Sequence, residues 1–145
     1  MATKSRAEAV WDGDLAQGRG RVKGTSGGLA ETSVSWAART GAATGLTTPE
    51  ELLAAAHASC YAMALSAGLS RMQKPPKQLR VSATATFDKV GDGWKVTTME
   101  LTVAGKVPGI SAAEFAAAAK AAAEGCPISG AIKGNVAVTH TATLE

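Results

Sequence analysis

From Leu52 to Ser70 the chain carries no Asp, Glu, Lys or Arg, and apolar or small side chains fall on every face a helix of this stretch would present. A helix of that kind has to be covered all round. Its length just reaches what a bilayer crossing needs. Ala, Ser, Gly and His57 fill much of it, however, and the remainder of the chain reads as a globular protein, so a membrane span is set aside. A small meander, all that the preceding segments of a chain of 145 residues provide, covers only one side. The sequence therefore predicts that another helix, from a second copy of the chain, covers the rest.

The start of this helix is marked three times over. Thr48 suits the N-cap, Pro49 the first helical position, and Glu51, three residues after Thr48, completes a capping box. Upstream, alternation around Ala7 to Trp11, Gly18 to Gly24 and Glu31 to Ala37 predicts an antiparallel meander, and the glycine-rich Arg39 to Thr47 a loop. Downstream, Pro75-Pro76 turns the chain. Two longer strands follow, Gln78 to Val90 and Trp94 to Val103, joined at Gly91-Asp92-Gly93; Val81, Ala83, Ala85 and Phe87 alternate on one, Val96, Thr98, Glu100 and Thr102 on the other. Ser111 with Glu114 opens a second capped helix that closes at Gly125, Cys126-Pro127 begins a short one to about Lys133, and Asn135 to Leu144 supplies a last strand, with Val136, Val138, Thr141 and Thr143 alternating. The fold class expected is α+β, in a single domain over residues 1–145.

With 46% apolar and 19% charged residues the chain belongs among globular proteins. The net charge of +3 has its densest basic run at Arg19-Gly20-Arg21-Val22-Lys23. No aromatic residue interleaves with that run, so it reads as a solvated hairpin face and no nucleic-acid partner is expected. The N-terminal segment lacks the apolar region of a secretory signal, and the expected compartment is the cytoplasm. Lasting disulfides are uncommon there, which makes a pair of cysteines that does oxidise more often catalytic or redox-sensing than structural.

The chain has two, Cys60 and Cys126. Cys60 lies inside the apolar helix, where burial alone opposes thiolate formation, so chemistry at this sulfur needs a cation brought from elsewhere. Arg39, just upstream, is the nearest candidate, and Glu50, whose near neighbour Glu51 is occupied by the capping box, is free to orient it. Glu50 stands roughly 15 Å from Cys60 along a helix, so the two act in one site only if an arginine bridges them or if Glu50 serves a partner chain. Cys126 sits at the start of a short helix, where amides and dipole favour a thiolate, and on local grounds it is the stronger nucleophile. His57 shares a side of the helix with Cys60. A Cys-His pair, or a zinc site with His140, is conceivable there without the usual ligand spacing.

Thr-Pro-Glu-Glu-Leu-Leu-Ala-Ala-Ala-His-Ala-Ser-Cys-Tyr-Ala-Met-Ala-Leu-Ser, within Arg39 to Ser66, resembles the OsmC/Ohr family of osmotically inducible and organic hydroperoxide resistance proteins. Trp11-Asp12-Gly13, Phe87-Asp88-Lys89-Val90, Val107-Pro108-Gly109-Ile110 and Gly125-Cys126-Pro127-Ile128-Ser129 extend the likeness over nearly the whole chain in the family's order. The resemblance implies antiparallel sheets around a long central helix and an intertwined homodimer. It also implies a thiol peroxidase that needs no metal or haem, in which Cys60 attacks the peroxide and Cys126 resolves it, against the local argument above. Arg39 and Glu50 map to the family's arginine and glutamate, although the organic hydroperoxide branch places its arginine where this chain has Arg19 and Arg21. An external dithiol, lipoyl-type or a small thiol, resets the pair. Leu53, Tyr61 and Met63 suggest apolar surroundings that favour alkyl or aryl hydroperoxides over hydrogen peroxide. The alternatives are a non-enzymatic dimeric redox sensor using the same cysteines, and a zinc site of Cys60, Cys126, His57 and His140.

Overall fold

A computed structural model describes all 145 residues. They divide into two compact units, Met1–Leu52 and Leu53–Glu145.

In the first unit β1 (Ala7–Asp12), β2 (Arg19–Gly24) and β3 (Thr32–Val34) form an antiparallel sheet in that order. Glycine is required where the strands close up: a Cβ on Gly20 would lie 2.6 Å from Val34 and 2.8 Å from Trp11, and one on Gly18 would run into the carbonyls of Asp14 and Asp12. The third strand is shorter than its alternation suggests. Ser35 caps a one-turn helix, α1 (Trp36–Arg39), by accepting a hydrogen bond from the Ala38 amide. Arg39 is therefore the last residue of a helical turn, not a member of a loop.

The long helix α2 (Pro49–Arg71) begins where its signals put it. The Thr48 hydroxyl accepts from the Glu51 amide at 3.0 Å, as expected of an N-cap, but the reciprocal half of the box is different: the Glu51 carboxylate accepts from the Thr47 hydroxyl at 2.7 Å. By length and composition α2 would suffice to cross a membrane, a test that core helices also pass. Its burial is one-sided. Ala54, His57, Tyr61, Leu65 and Leu69 form a buried stripe at intervals of three and four residues, while Ala55, Ser59, Met63 and Ala67 lie exposed on another.

In the second unit β4 (Gln78–Val90) and β5 (Gly93–Lys106) make a long antiparallel hairpin, turning at Gly91-Asp92 with Gly91 at φ +62°. A bulge at Thr97 breaks the register, since Thr86 faces Thr98 but Phe87 faces Val96. Unbroken alternation from Val96 would keep Thr98, Glu100 and Thr102 on its face. The extra residue switches the parity and buries Met99, Leu101 and Val103 opposite Ala85, Ala83 and Val81. After β5 come α3 (Ala112–Gly125), with its Ser111–Glu114 capping box complete, and α4 (Pro127–Ile132). The two helices form a crossover, and β6 (Ala137–Leu144) returns parallel to β5, so this sheet is mixed and not purely antiparallel. Tyr61, Leu65 and Leu69 of α2, Leu101 and Val103 of β5, and Phe115 and Ala119 of α3 share one buried cluster. The architecture is α+β, two three-stranded sheets with one long helix.

Candidate active site

Arg39 and Glu50 meet in the first unit. The Arg39 Nε donates to Glu50 Oε1 at 3.0 Å and Oε2 at 3.3 Å, and Nη2 donates to Oε1 at 2.8 Å. The helical turn of α1 and the first turn of α2 aim the two side chains at each other. The carboxylate is nearly sealed, 7% exposed, while the guanidinium keeps 34% of its surface open. A two-nitrogen grip fixes the plane of the guanidinium as well as its place. Of the other arginines considered, Arg21 pairs with Asp12 and Arg19 donates to the Gly18 carbonyl. Arg39 also borders a cavity of about 380 Å³ walled by Trp11, Leu15, Val34, Trp36 and Pro49.

In the second unit the two cysteines come together. Both are free thiols, Cys126 buried in the main cluster and Cys60, half-buried, packed against it. Each sulfur bears on the other's protonation. Desolvation is the largest influence holding the Cys60 thiol above its ordinary value, and its hydrogen bond to Cys126 adds to it, while the Ile128 amide pulls the other way. Desolvation also pushes Cys126 up, but the Cys60 thiol, the amides of Ser129 and Ile128 and the Ser129 hydroxyl together outweigh it and bring Cys126 below. Cys126 makes no capping hydrogen bond through its side chain. These groups therefore act on its sulfur as oriented dipoles. The surroundings thus push the two thiols in opposite directions, Cys60 up and Cys126 down.

Sequence reasoning missed Ser129. The His57 imidazole, with no exposed surface, places Nε2 2.7 Å from the Ser129 hydroxyl, and Nδ1 has no partner. Ser129 falls three residues after Cys126 in a short helix, a spacing that would have put it on the sulfur's side; nothing local links it to His57. No three of the His, Cys, Asp and Glu side chains come together as a metal site, and His57 has its Nε2 engaged by Ser129, so the zinc arrangement is not assembled. Tyr61 is fully buried, donating to the Ala119 carbonyl, whereas Met63 is exposed, so these two do not wall one pocket.

Burial holds the His57 pKa below 6.5. The unfolded chain then binds a proton that the native imidazole refuses, so stability is present above pH about 6.5 and is lost as pH falls below it. Urea unfolding at pH 7 and pH 5.5 is expected to show a drop in midpoint that shrinks in His57→Gln. An equal drop in both proteins would contradict the assignment.

The profile of OsmC-like proteins matches residues 41–141. The peroxiredoxin OsmC of Escherichia coli (strain K12) is 34% identical over 140 residues, 97% of either chain. An organic hydroperoxide resistance protein of Xanthomonas axonopodis pv. citri is 32% identical over 96 residues, 66% of each. Among solved structures, an organic hydroperoxide resistance protein from Elizabethkingia anophelis superposes over the whole of both chains with a TM-score of 0.77 at 26% identity. An OsmC protein from Legionella pneumophila shares the fold, with a TM-score of 0.76 at 24% identity over 99% of this chain and 98% of its own.

Proposed function

This chain belongs to the OsmC-like protein family, and from that membership we propose that it is a cysteine-based peroxidase that reduces organic hydroperoxides through a sulfenic acid and an intramolecular disulfide. Relatives named peroxiredoxin and organic hydroperoxide resistance protein support redox chemistry on hydroperoxides. The observation that carries the finer reading is the adjacency of two free thiols inside one apolar cluster.

Cys126, whose thiol is drawn below its ordinary value, starts as the thiolate and takes the Cys60 proton, and the Cys60 thiolate so formed attacks one peroxide oxygen. The O–O bond breaks, the sulfur is oxidised to sulfenic acid, and the departing alkoxide takes a proton from water to leave as alcohol. The arginine held by Glu50 is the proposed stabiliser of the thiolate and of the charge on the departing oxygen. Cys126 then attacks the sulfenic sulfur, forming the disulfide and water before the sulfur is oxidised further. An external dithiol returns both sulfurs to thiols. The apolar residues packed around the two thiols favour alkyl and aryl hydroperoxides over hydrogen peroxide. The exposed stripe Ala55, Ser59, Met63 and Ala67 supports a homodimer in which a second α2 covers it.

The test is consumption of cumene hydroperoxide with dihydrolipoamide or dithiothreitol. Many turnovers per protein, faster than with hydrogen peroxide, are expected. A disulfide that forms with peroxide but that no dithiol recycles would favour the redox sensor instead.

A further inference from the structure

We propose that Ser129 and His57 form a proton relay serving Cys126 in the disulfide-closing step, and that this relay governs how fast the sulfenic acid is resolved. The inference rests on the peroxidase reading above. Its basis is a line of groups drawn from two elements: Cys60 and His57 on α2, and Cys126 at the head of α4 with Ser129 within it. Ser129 stands between the two ends, three residues after the N-cap Cys126 and so on the sulfur's side of α4. Its hydroxyl lies 2.7 Å from His57 Nε2, and its amide and hydroxyl both bear on the Cys126 sulfur.

The chemistry needs such a route. Once Cys60 is a sulfenic acid, Cys126 holds the proton it took from Cys60 and is 1% exposed, so water has little access to remove it. In closure the Cys126 S–H bond breaks, the S–S bond forms and the Cys60 S–O bond breaks. The Cys126 sulfur is oxidised and the Cys60 sulfur reduced. The Cys126 proton moves to Ser129 Oγ as the Ser129 hydroxyl proton moves to His57 Nε2, in the tautomer whose proton sits on Nδ1. Return of a proton along the same path to the departing hydroxide releases water and restores the neutral imidazole. Desolvation favours that neutral form, so His57 accepts transiently and does not retain the proton. The unpartnered Nδ1 also distinguishes this histidine from a core histidine satisfied on both nitrogens.

A second cavity, of about 380 Å³, has Ser129 in its wall with Glu124 on α3, Lys133 after α4 and His140 on β6, which are the titratable groups facing the relay from the elements around it. It gives the serine a solvent side, so exchange with bulk water resets the relay between turnovers.

The experiment separates the two chemical steps in the full-length protein: sulfenic acid formation, followed by dimedone capture, and disulfide closure, followed by loss of free thiol after one equivalent of cumene hydroperoxide. Ser129→Ala and His57→Gln are each expected to lower the ratio of closure rate to sulfenic acid formation rate by about a hundredfold, the lower end of what a lost general base costs. Ser129→Thr, which keeps the hydroxyl, restores the ratio, and the solvent deuterium isotope effect on closure shrinks in Ser129→Ala. A ratio unchanged in Ser129→Ala, with wild type forming both sulfenic acid and disulfide, overturns the relay alone. No dimedone adduct in wild type overturns the peroxidase reading beneath it.

Discussion

Cys60→Ser is expected to abolish peroxide reduction, with a fall of roughly a thousandfold or more, as for other removed nucleophiles. Serine in that half-buried apolar position is a hydroxyl with no tendency to ionise, and Cys126 behind it is nearly closed to solvent. The companion variant behaves differently. Cys126→Ser is expected to complete one reduction and then to accumulate sulfinic and sulfonic acid at residue 60, because no thiol is within reach to condense with the sulfenic acid. Mass spectrometry of both proteins after a few equivalents of cumene hydroperoxide reads the difference directly. The local field at rest, which favours the thiolate at Cys126, supports the reverse order of attack. That order is the right one if Cys60→Ser retains a single turnover and Cys126→Ser has none.

Removing Arg39 carries the second large effect, and it is on stability. In Arg39→Ala the Glu50 carboxylate, 7% exposed and gripped through both oxygens, loses the partner that made its burial tolerable. Breaking a buried pair from one side costs about 3–5 kcal/mol, and the partial exposure of Arg39 puts this case at the lower end, about 3 kcal/mol. With an m-value of about 2 kcal/mol/M the urea midpoint falls by about 1.5 M. Arg39→Lys recovers only part, since an ammonium does not match the two-nitrogen fork. The double variant Arg39→Met, Glu50→Gln recovers more than Arg39→Ala because no charge is left buried. An unchanged midpoint in Arg39→Ala would show that the pair contributes nothing to the fold, and the view of Glu50 as the residue that orients the guanidinium would go with it.

The same two sites show where local signals stop. Thr48 and Pro49 announce the first turn of α2, Ser111 and Glu114 that of α3, and the strand read from Gln78 to Val90 has those same ends, because caps, prolines and a period of two act over three or four residues. The uncharged run in α2 predicts a helix covered on all sides by a second copy; in the single chain its stripe at Ala55, Ser59, Met63 and Ala67 is exposed. Other features had no such signal. Glu51 looked like a complete capping box, yet its carboxylate turned to Thr47; Thr97 looked like an ordinary strand residue, yet as a bulge it decides which face of β5 is buried. Arg39 looked like a loop residue until Ser35 capped the turn that ends on it.

Caps, turns and periodicity are written in neighbouring residues, so the helices, the hairpin and the candidate thiols are legible in the chain alone. Which strand runs parallel, which arginine meets Glu50, and that His57 finds Ser129 across 72 positions of chain were decided only when the elements packed. Contacts between residues remote along the chain depend on the bulge, the crossover and the shared core acting together, and no single segment contains that information.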